Sequence, residues 1–158
     1  MVVNDVHILI VEDNPADLEL ALHALRKENI GNQIHVARDG EEALDFIFGN
    51  GTANGRTKEN MPRLVLLDLK LPKVDGLEVL RRIKGDPATK AMPVVVMTSS
   101  KEESDLVDSY QIGVNSYIQK PVDFEQFRQI VRQFGLYWLV VNQPPPFSAF
   151  KERTEEGN

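Results

Sequence analysis

The sequence predicts a doubly wound α/β fold, a parallel five-stranded sheet with helices on both faces. Three observations carry that expectation. Uninterrupted apolar runs at 8–11, 64–67 and 94–97 have the length of strands buried on both sides. Segments with apolar residues at helical spacing lie between them. Each run delivers polar side chains at its carboxyl end, Glu12-Asp13, Asp68 and Thr98, where sheets of this kind hold their ligands.

The elements follow in order. Val6 to Val11 is the first strand and runs straight into Glu12-Asp13-Asn14-Pro15. Asn14 suits an N-cap and Pro15 a first helical residue. Leu18, Leu22 and Leu25 recur at helical spacing, and Gly31 closes the segment. Gln33 to Ala37 is a short second strand. Asp39 with Glu42 forms a capping box, opening a helix with Leu44, Ile47 and Phe48 on one side. Residues 49–62 are a polar, glycine-containing loop whose likeness to a phosphate-binding loop fails. The spacing is wrong, Arg56 stands where lysine is needed, and a helix rather than a strand precedes it. It reads as a solvated surface insertion.

Leu64 to Leu67 is the third strand, ending at Asp68. A helix then starts at Val74 or Asp75, is marked by Leu77, Leu80 and Ile83, and ends at Gly85-Asp86-Pro87. Met92 to Met97 is the fourth strand. Ser100 and Glu103 read as a second capping box, and the helix they open, with Leu106, Val107 and Tyr110, stops at Gly113. Val114 to Gln119 is the fifth strand, ending at Lys120-Pro121. Asp123 with Gln126 starts the last helix. Right-handed crossovers give the expected strand order 2-1-3-4-5, with strands 1 and 3 at the switch point. Glu12, Asp13 and Asp68 then converge.

Composition sets bounds on function. With 42% apolar and 27% charged residues, the chain reads as an ordinary soluble globular protein, expected in the cytoplasm given its lack of cysteine. A net charge of −6 without a basic stripe argues against binding nucleic acid through its phosphates. No apolar stretch is long enough for a membrane span. The expected division is one domain over residues 1–143 and a flexible Pro-containing tail over 144–158.

Converging carboxylates are costly: two unit charges about 4 Å apart repel by roughly 4 kcal/mol at an effective dielectric of 20. They call for a cation or a raised pKa. Carboxylate oxygens with water and a backbone carbonyl suit Mg2+. A lysine from strand 5 and a hydroxyl from strand 4 complete a set that would hold a tetrahedral dianion. The set reads as phosphoryl chemistry with Asp68 as the nucleophile.

At these residues the sequence resembles a family. Ile-Leu-Ile-Val-Glu12-Asp13-Asn, Leu-Leu-Asp68-Leu-Lys-Leu-Pro-Lys-Val-Asp-Gly76, Val-Met-Thr98-Ser and Tyr117-Ile-Gln-Lys120-Pro121 are similar to the CheY-like receiver domains of two-component response regulators, over about residues 6–138. The resemblance implies the flavodoxin-like (βα)5 arrangement and a phosphoacceptor that signals rather than a turnover enzyme. It implies that Asp68 takes a phosphoryl group from a phosphohistidine on a sensor histidine kinase. Asp13 would bind Mg2+ directly, Glu12 through a water, and Asp68 and the Lys70 backbone carbonyl would add further ligands. Lys120 would pair with a phosphoryl oxygen. Thr98 would move onto another, letting Tyr117 turn inward and changing the surface of helix 4, strand 5 and helix 5. Pro121 would follow a cis peptide bond. Glu12 replaces the commoner aspartate, and Lys70 occupies a position where family members differ and hydrolysis is tuned.

Two competing functions stay open on the residues. An aspartate-nucleophile phosphohydrolase also uses a strand-end acid, but wants a second acid where Lys70 stands. An unphosphorylated scaffold would not need the acceptor residues. His7, His23 and His35 lack ligand-like spacing and read as structural or surface residues.

The last helix shows Phe124, Phe127, Ile130, Val131, Phe134 and Trp138 at core-like intervals, and Leu136 to Val141 leave almost no polar face. Residues 134–147 are therefore expected to bury against a second copy of the chain, with Phe134, Tyr137, Trp138 and Val141 at the interface. A stand-alone receiver with a long loop before the acceptor strand and an apolar extension is similar to the regulators that partner bacterial phytochromes.

Overall fold

The computed structural model describes residues 7–29, 33–49, 61–120 and 123–134. Strands and helices alternate: β1 (His7–Val11), α1 (Pro15–Lys27), β2 (Gln33–Ala37), α2 (Gly40–Phe48), β3 (Leu64–Leu67), α3 (Gly76–Gly85), β4 (Val94–Thr98), α4 (Glu103–Ile112), β5 (Ser116–Gln119) and α5 (Phe124–Phe134). All pairings are parallel and the order is β2-β1-β3-β4-β5, as the sequence predicts. The insertion at 50–60, Pro121 and the tail lie outside the described residues. Among the described residues no helix is long and apolar enough to cross a membrane.

Side-chain alternation along the strands divides the core in two. Leu9, Val11, Val65, Leu67, Val94 and Val96 meet Ala43 and Ile47 of α2 and Val79, Leu80 and Ile83 of α3. Ile8, Ile10, Leu64, Leu66, Val95 and Met97 meet Leu18, Ala21, Ala24 and Leu25 of α1 and Phe127 and Val131 of α5. The central strands bury both faces, which is why their sequence shows unbroken apolar runs rather than alternation.

Local chemistry sets most helix starts. Asn14 accepts the Asp17 N–H at 3.0 Å, Asp39 that of Glu42 at 2.8 Å, Asp75 that of Leu77 at 3.0 Å, and Asp123 that of Gln126 at 2.8 Å. The return arm from Glu42 reaches the amide of Arg38, one residue before the cap, at 3.3 Å. The expected box at Ser100 and Glu103 does not form. The N-cap of α4 is Glu102, with no side-chain cap bond; the Ser100 hydroxyl donates to Asp105 Oδ2 at 2.5 Å and its oxygen accepts the Glu102 N–H at 3.3 Å, not that of Glu103. A second correction concerns the same helix. Leu106, Val107 and Tyr110 face solvent, whereas Asp105 and Ser109 are buried. The fourth strand begins at Val94 rather than Met92 and includes Thr98, and the fifth begins at Ser116 rather than Val114.

Buried polar contacts tie loop to helix. Thr89 Oγ1 donates to the Ile83 carbonyl at 2.6 Å near the end of α3. Lys84 Nζ donates to Met92 O at 2.7 Å, Asn115 Oδ1 at 2.9 Å and Lys90 O at 3.2 Å, and burial pulls its pKa down to about 8. Thr89→Val keeps the shape but orphans a carbonyl in a dry site. We expect it to cost roughly 1–2 kcal/mol in urea unfolding, and an unchanged midpoint would contradict this. The histidines read as structural or surface residues: His7 Nδ1 and His35 Nε2 lie 2.9 Å apart, and the exposed His23 lies against Phe124.

Candidate functional site

The strand register places the site. Val11 pairs with Leu67, so Glu12 and Asp68 emerge side by side, and Thr98 pairs with Gln119, so Lys120 follows at the same edge. Backbone bonds hold that edge: the Glu12 N–H donates to Ala37 O at 2.9 Å, Asp68 to Val11 O at 3.0 Å, and Lys120 to Thr98 O at 2.8 Å. Each side chain starts from a strand end inside the hydrogen-bonded sheet, so its position is inherited from the core rather than from a loose loop.

Glu12, Asp68 and Lys120 are buried, with 3%, 5% and 9% exposure, while Asp13 is exposed. One carboxylate oxygen from each of Glu12, Asp13 and Asp68 lies within 4.8 Å of the others. Lys120 Nζ donates to Glu12 Oε1 at 2.6 Å, Asp17 Oδ2 at 2.8 Å and Asp68 Oδ2 at 3.2 Å. One ammonium therefore stands against four carboxylates. That imbalance is the observation that makes the site suit a divalent cation, with hard oxygen donors on one open side.

The remaining strain falls on Glu12. Burial pushes its pKa from 4.5 up to about 7, against the hydrogen bond from Lys120, and the charge of Asp68 adds to the rise. For Lys120 burial works downward, but the hydrogen bonds to Asp17 and Glu12 and the charge of Asp68 win and raise its pKa. Lys120 thus stays charged throughout the physiological range.

A pH dependence follows. Glu12 binds its proton more tightly folded than unfolded, so the ion-free protein loses stability as pH rises from about 4.5 to about 7. Glu12→Gln lacks this term. The unfolding free energy of the variant minus that of the wild type should grow by on the order of 2 kcal/mol across that window. Urea melts in chelator at several pH values measure it, and a flat difference would contradict the assigned burial of charge.

Three more of the expected residues, Thr98, Lys70 and Tyr117, lie among the described residues. Thr98 is fully buried, and its Oγ1 accepts the Ser100 N–H at 3.3 Å. Lys70 follows the acceptor loop and its amide donates to Asp68 Oδ1 at 3.1 Å. Tyr117 packs on the core with its hydroxyl buried, and burial, then the charge of Asp105, raises its pKa against a hydrogen bond with Ser100. Of the residues expected at a dimer interface, Phe134 is the last of α5, and Tyr137, Trp138 and Val141 lie outside the described residues, as does Pro121.

Sequence reading missed Asp17, Ser100 and Asp105. Asp17 could have been found, since it sits in the first turn of α1, just past the acidic pair. Asp105 carried no such signal, being one acid among several in a polar stretch.

Comparison with known proteins agrees with this geometry. A family model described as response regulator receiver domain matches residues 8–132. The probable methanogenesis regulatory protein FilR2 of Methanothrix harundinacea is 44% identical over 138 residues, which cover 87% of this chain and 86% of that protein. Response regulator Rcp1 of Synechocystis sp. is 40% identical over 134 residues, 84% of this chain and 88% of that protein. The Mn2+-bound form of response regulator Rcp1 matches with a TM-score of 0.76 at 38% identity, covering 88% of this chain and 98% of that one. The phosphorylated cyanobacterial phytochrome response regulator RcpA matches with a TM-score of 0.79 at 40% identity, covering 89% and 99%. Its acids at two adjacent strand ends, its sheet order and these matches together establish that the chain belongs to the response regulator receiver domain family.

Proposed function

We propose that the chain is a stand-alone, cytoplasmic response regulator in which Asp68 accepts a phosphoryl group from the phosphohistidine of a sensor histidine kinase. The observation that carries the reading is the pairing of a 5% exposed Asp68 carboxylate with Lys120 Nζ 3.2 Å away, beside two further acids. An Asp68 oxygen attacks phosphorus, the P–N bond breaks, and its electron pair returns to the imidazole of the kinase. Glu12, Asp13, Asp68 and the Lys70 carbonyl would hold Mg2+, which supplies charge neutralisation to the transferring group. Lys120, fixed by Glu12 and Asp17, is placed to pair with one phosphoryl oxygen. Thr98, at the end of β4, would donate to another, and its movement would be read by Tyr117 and the α4-β5-α5 surface. The exposed Leu106, Val107 and Tyr110 of α4 suit such a readout.

This reading makes the chain a signalling acceptor without turnover of small phosphate esters, since Lys70 stands where a phosphohydrolase needs an acid. Nucleic acid is not a partner in it. The likeness to Rcp1 and RcpA makes a phytochrome a candidate kinase, and a homodimer through the last helix and residues 134–147 is part of the proposal.

Incubation with Mg2+ and either acetyl phosphate or a histidine kinase tests the function. The intact mass should rise by one phosphoryl group, and chelator should abolish the rise. An unchanged mass with both donors would overturn the reading. Sedimentation tests the dimer, which a monomer at micromolar concentration would contradict.

A further inference from the structure

One cluster beside the acceptor turns on a buried side chain that has no part in holding an ion. Asp105, in the first turn of α4, keeps 8% exposure. Its Oδ2 accepts the Ser100 hydroxyl at 2.5 Å and lies 3.3 Å from Lys70 Nζ. Lys70 is the second residue past Asp68, and its amide already touches the Asp68 carboxylate. Ser100 touches Thr98 through its own amide and accepts the Glu102 N–H at 3.3 Å. Asp105 therefore joins the two loops that flank the acceptor, from a helix that carries none of the proposed ion ligands.

We infer that Asp105 is a positioning residue for the loss of the phosphoryl group, competing with that group for the Lys70 ammonium and so shortening the lifetime of phosphorylated Asp68. The inference rests on the acceptor role proposed for Asp68. Three features support it. The Lys70 side chain is 52% exposed, so its pair with Asp105 is weak and the chain can swing at little cost. A phosphoryl group two residues away offers two negative charges and three acceptor oxygens against the one charge of Asp105. The carboxylate left behind in a nearly dry site needs a new donor. One buried hydroxyl without a hydrogen-bond partner is at hand, Ser109 Oγ, one helical turn on.

The consequence concerns water. In hydrolysis the water oxygen forms a new bond to phosphorus opposite the bond to Asp68. That bond breaks and its electron pair restores the Asp68 carboxylate. One water proton leaves on hydrogen phosphate and the other goes to solvent. A Lys70 ammonium seated on the phosphoryl oxygens obstructs the approach, and an ammonium held by Asp105 does not.

The test uses the full chain as wild type, Asp105→Asn, Lys70→Met and the double variant, each loaded with acetyl phosphate and Mg2+. Intact mass at the start confirms loading; a wild type that does not load refutes the acceptor role itself rather than this inference. After donor removal, Asp105→Asn should lose its phosphoryl group about three- to fivefold more slowly than wild type. Lys70→Met should lose it faster than wild type, and the double variant should match Lys70→Met. Decay of Asp105→Asn at the wild-type rate, or slowing by the same factor with and without Lys70, would overturn the inference, the latter marking a purely structural role for Asp105. Lys70→Met, a change at an exposed side chain, provides a second check should Asp105→Asn fold poorly. A rate equal to or slower than wild type would overturn the inference by itself.

Discussion

Asp68→Asn is expected to abolish phosphoryl acceptance while leaving the protein folded and more stable without metal. The substitution keeps the size of a side chain that is 5% exposed, so the packing behind it is unchanged. It removes the nucleophile, because an amide cannot form the acyl phosphate, and the rate should fall by about a thousandfold or more. It also removes one of the carboxylates crowded around Lys120, whose bonds to Glu12 and Asp17 remain. The charge of Asp68 helps to hold the Glu12 pKa up, so that pKa should fall in the variant. With like-charge repulsion relieved, ion-free stability should rise by about 1 kcal/mol. Intact mass after treatment with acetyl phosphate reads the first effect and urea unfolding in chelator the second. A variant that still gains a phosphoryl group refutes the assignment of Asp68. One that is less stable refutes the account of crowded charge.

Gly76→Ala is expected to have a large structural effect at the acceptor loop. Gly76 opens α3, and its N–H donates to Leu69 O at 3.0 Å, folding the acceptor loop back onto the helix start. A methyl group there would lie 2.3 Å from Asp68 O and 2.5 Å from Leu69 Cα. Both are backbone atoms of the loop that leads from Asp68 to Lys70, so no side chain can swing aside to make room. The loop must move, and movement misplaces both the acceptor and the Lys70 carbonyl. We expect a loss of about 3–4 kcal/mol and a drop in melting temperature of roughly 6–16 °C for a domain of this size. Mg2+ affinity should fall as well. Gly85 is the control: a methyl group there meets nothing within 4 Å, so Gly85→Ala should be neutral or stabilising by up to about 1 kcal/mol. Equal effects at the two glycines would show that helix propensity, rather than the contact with the Asp68 loop, decides the outcome.

The features legible in the sequence were those decided by residues near each other in the chain. Asn14-Pro15, Asp39 with Glu42 and Asp123 with Gln126 start helices because each cap satisfies an amide three residues on. The central strands were readable because burial on both faces leaves no polar position in the run. The helix 4 reading failed where two local rules had to compete with distant contacts. Ser100 looked like a cap, yet a carboxylate five residues away takes its hydroxyl. Leu106, Val107 and Tyr110 looked like a core face, yet the inward face of α4 carries Asp105 and Ser109. Periodicity reports that a helix has two faces and not which one turns inward. Asp17 escaped notice for a related reason: its partner Lys120 is 103 residues away, and only the folded sheet brings them to 2.8 Å.

The most direct measurement is to map the phosphoryl group. Protein loaded by a histidine kinase with Mg2+ should yield a single modified peptide containing Asp68, with the group labile to hydroxylamine as an acyl phosphate must be, and none when Mg2+ is chelated. A hydroxylamine-resistant phosphoryl group on serine or threonine, or loading that ignores chelator, would contradict the claim that the acids ending β1 and β3 form one ion-assisted acceptor site.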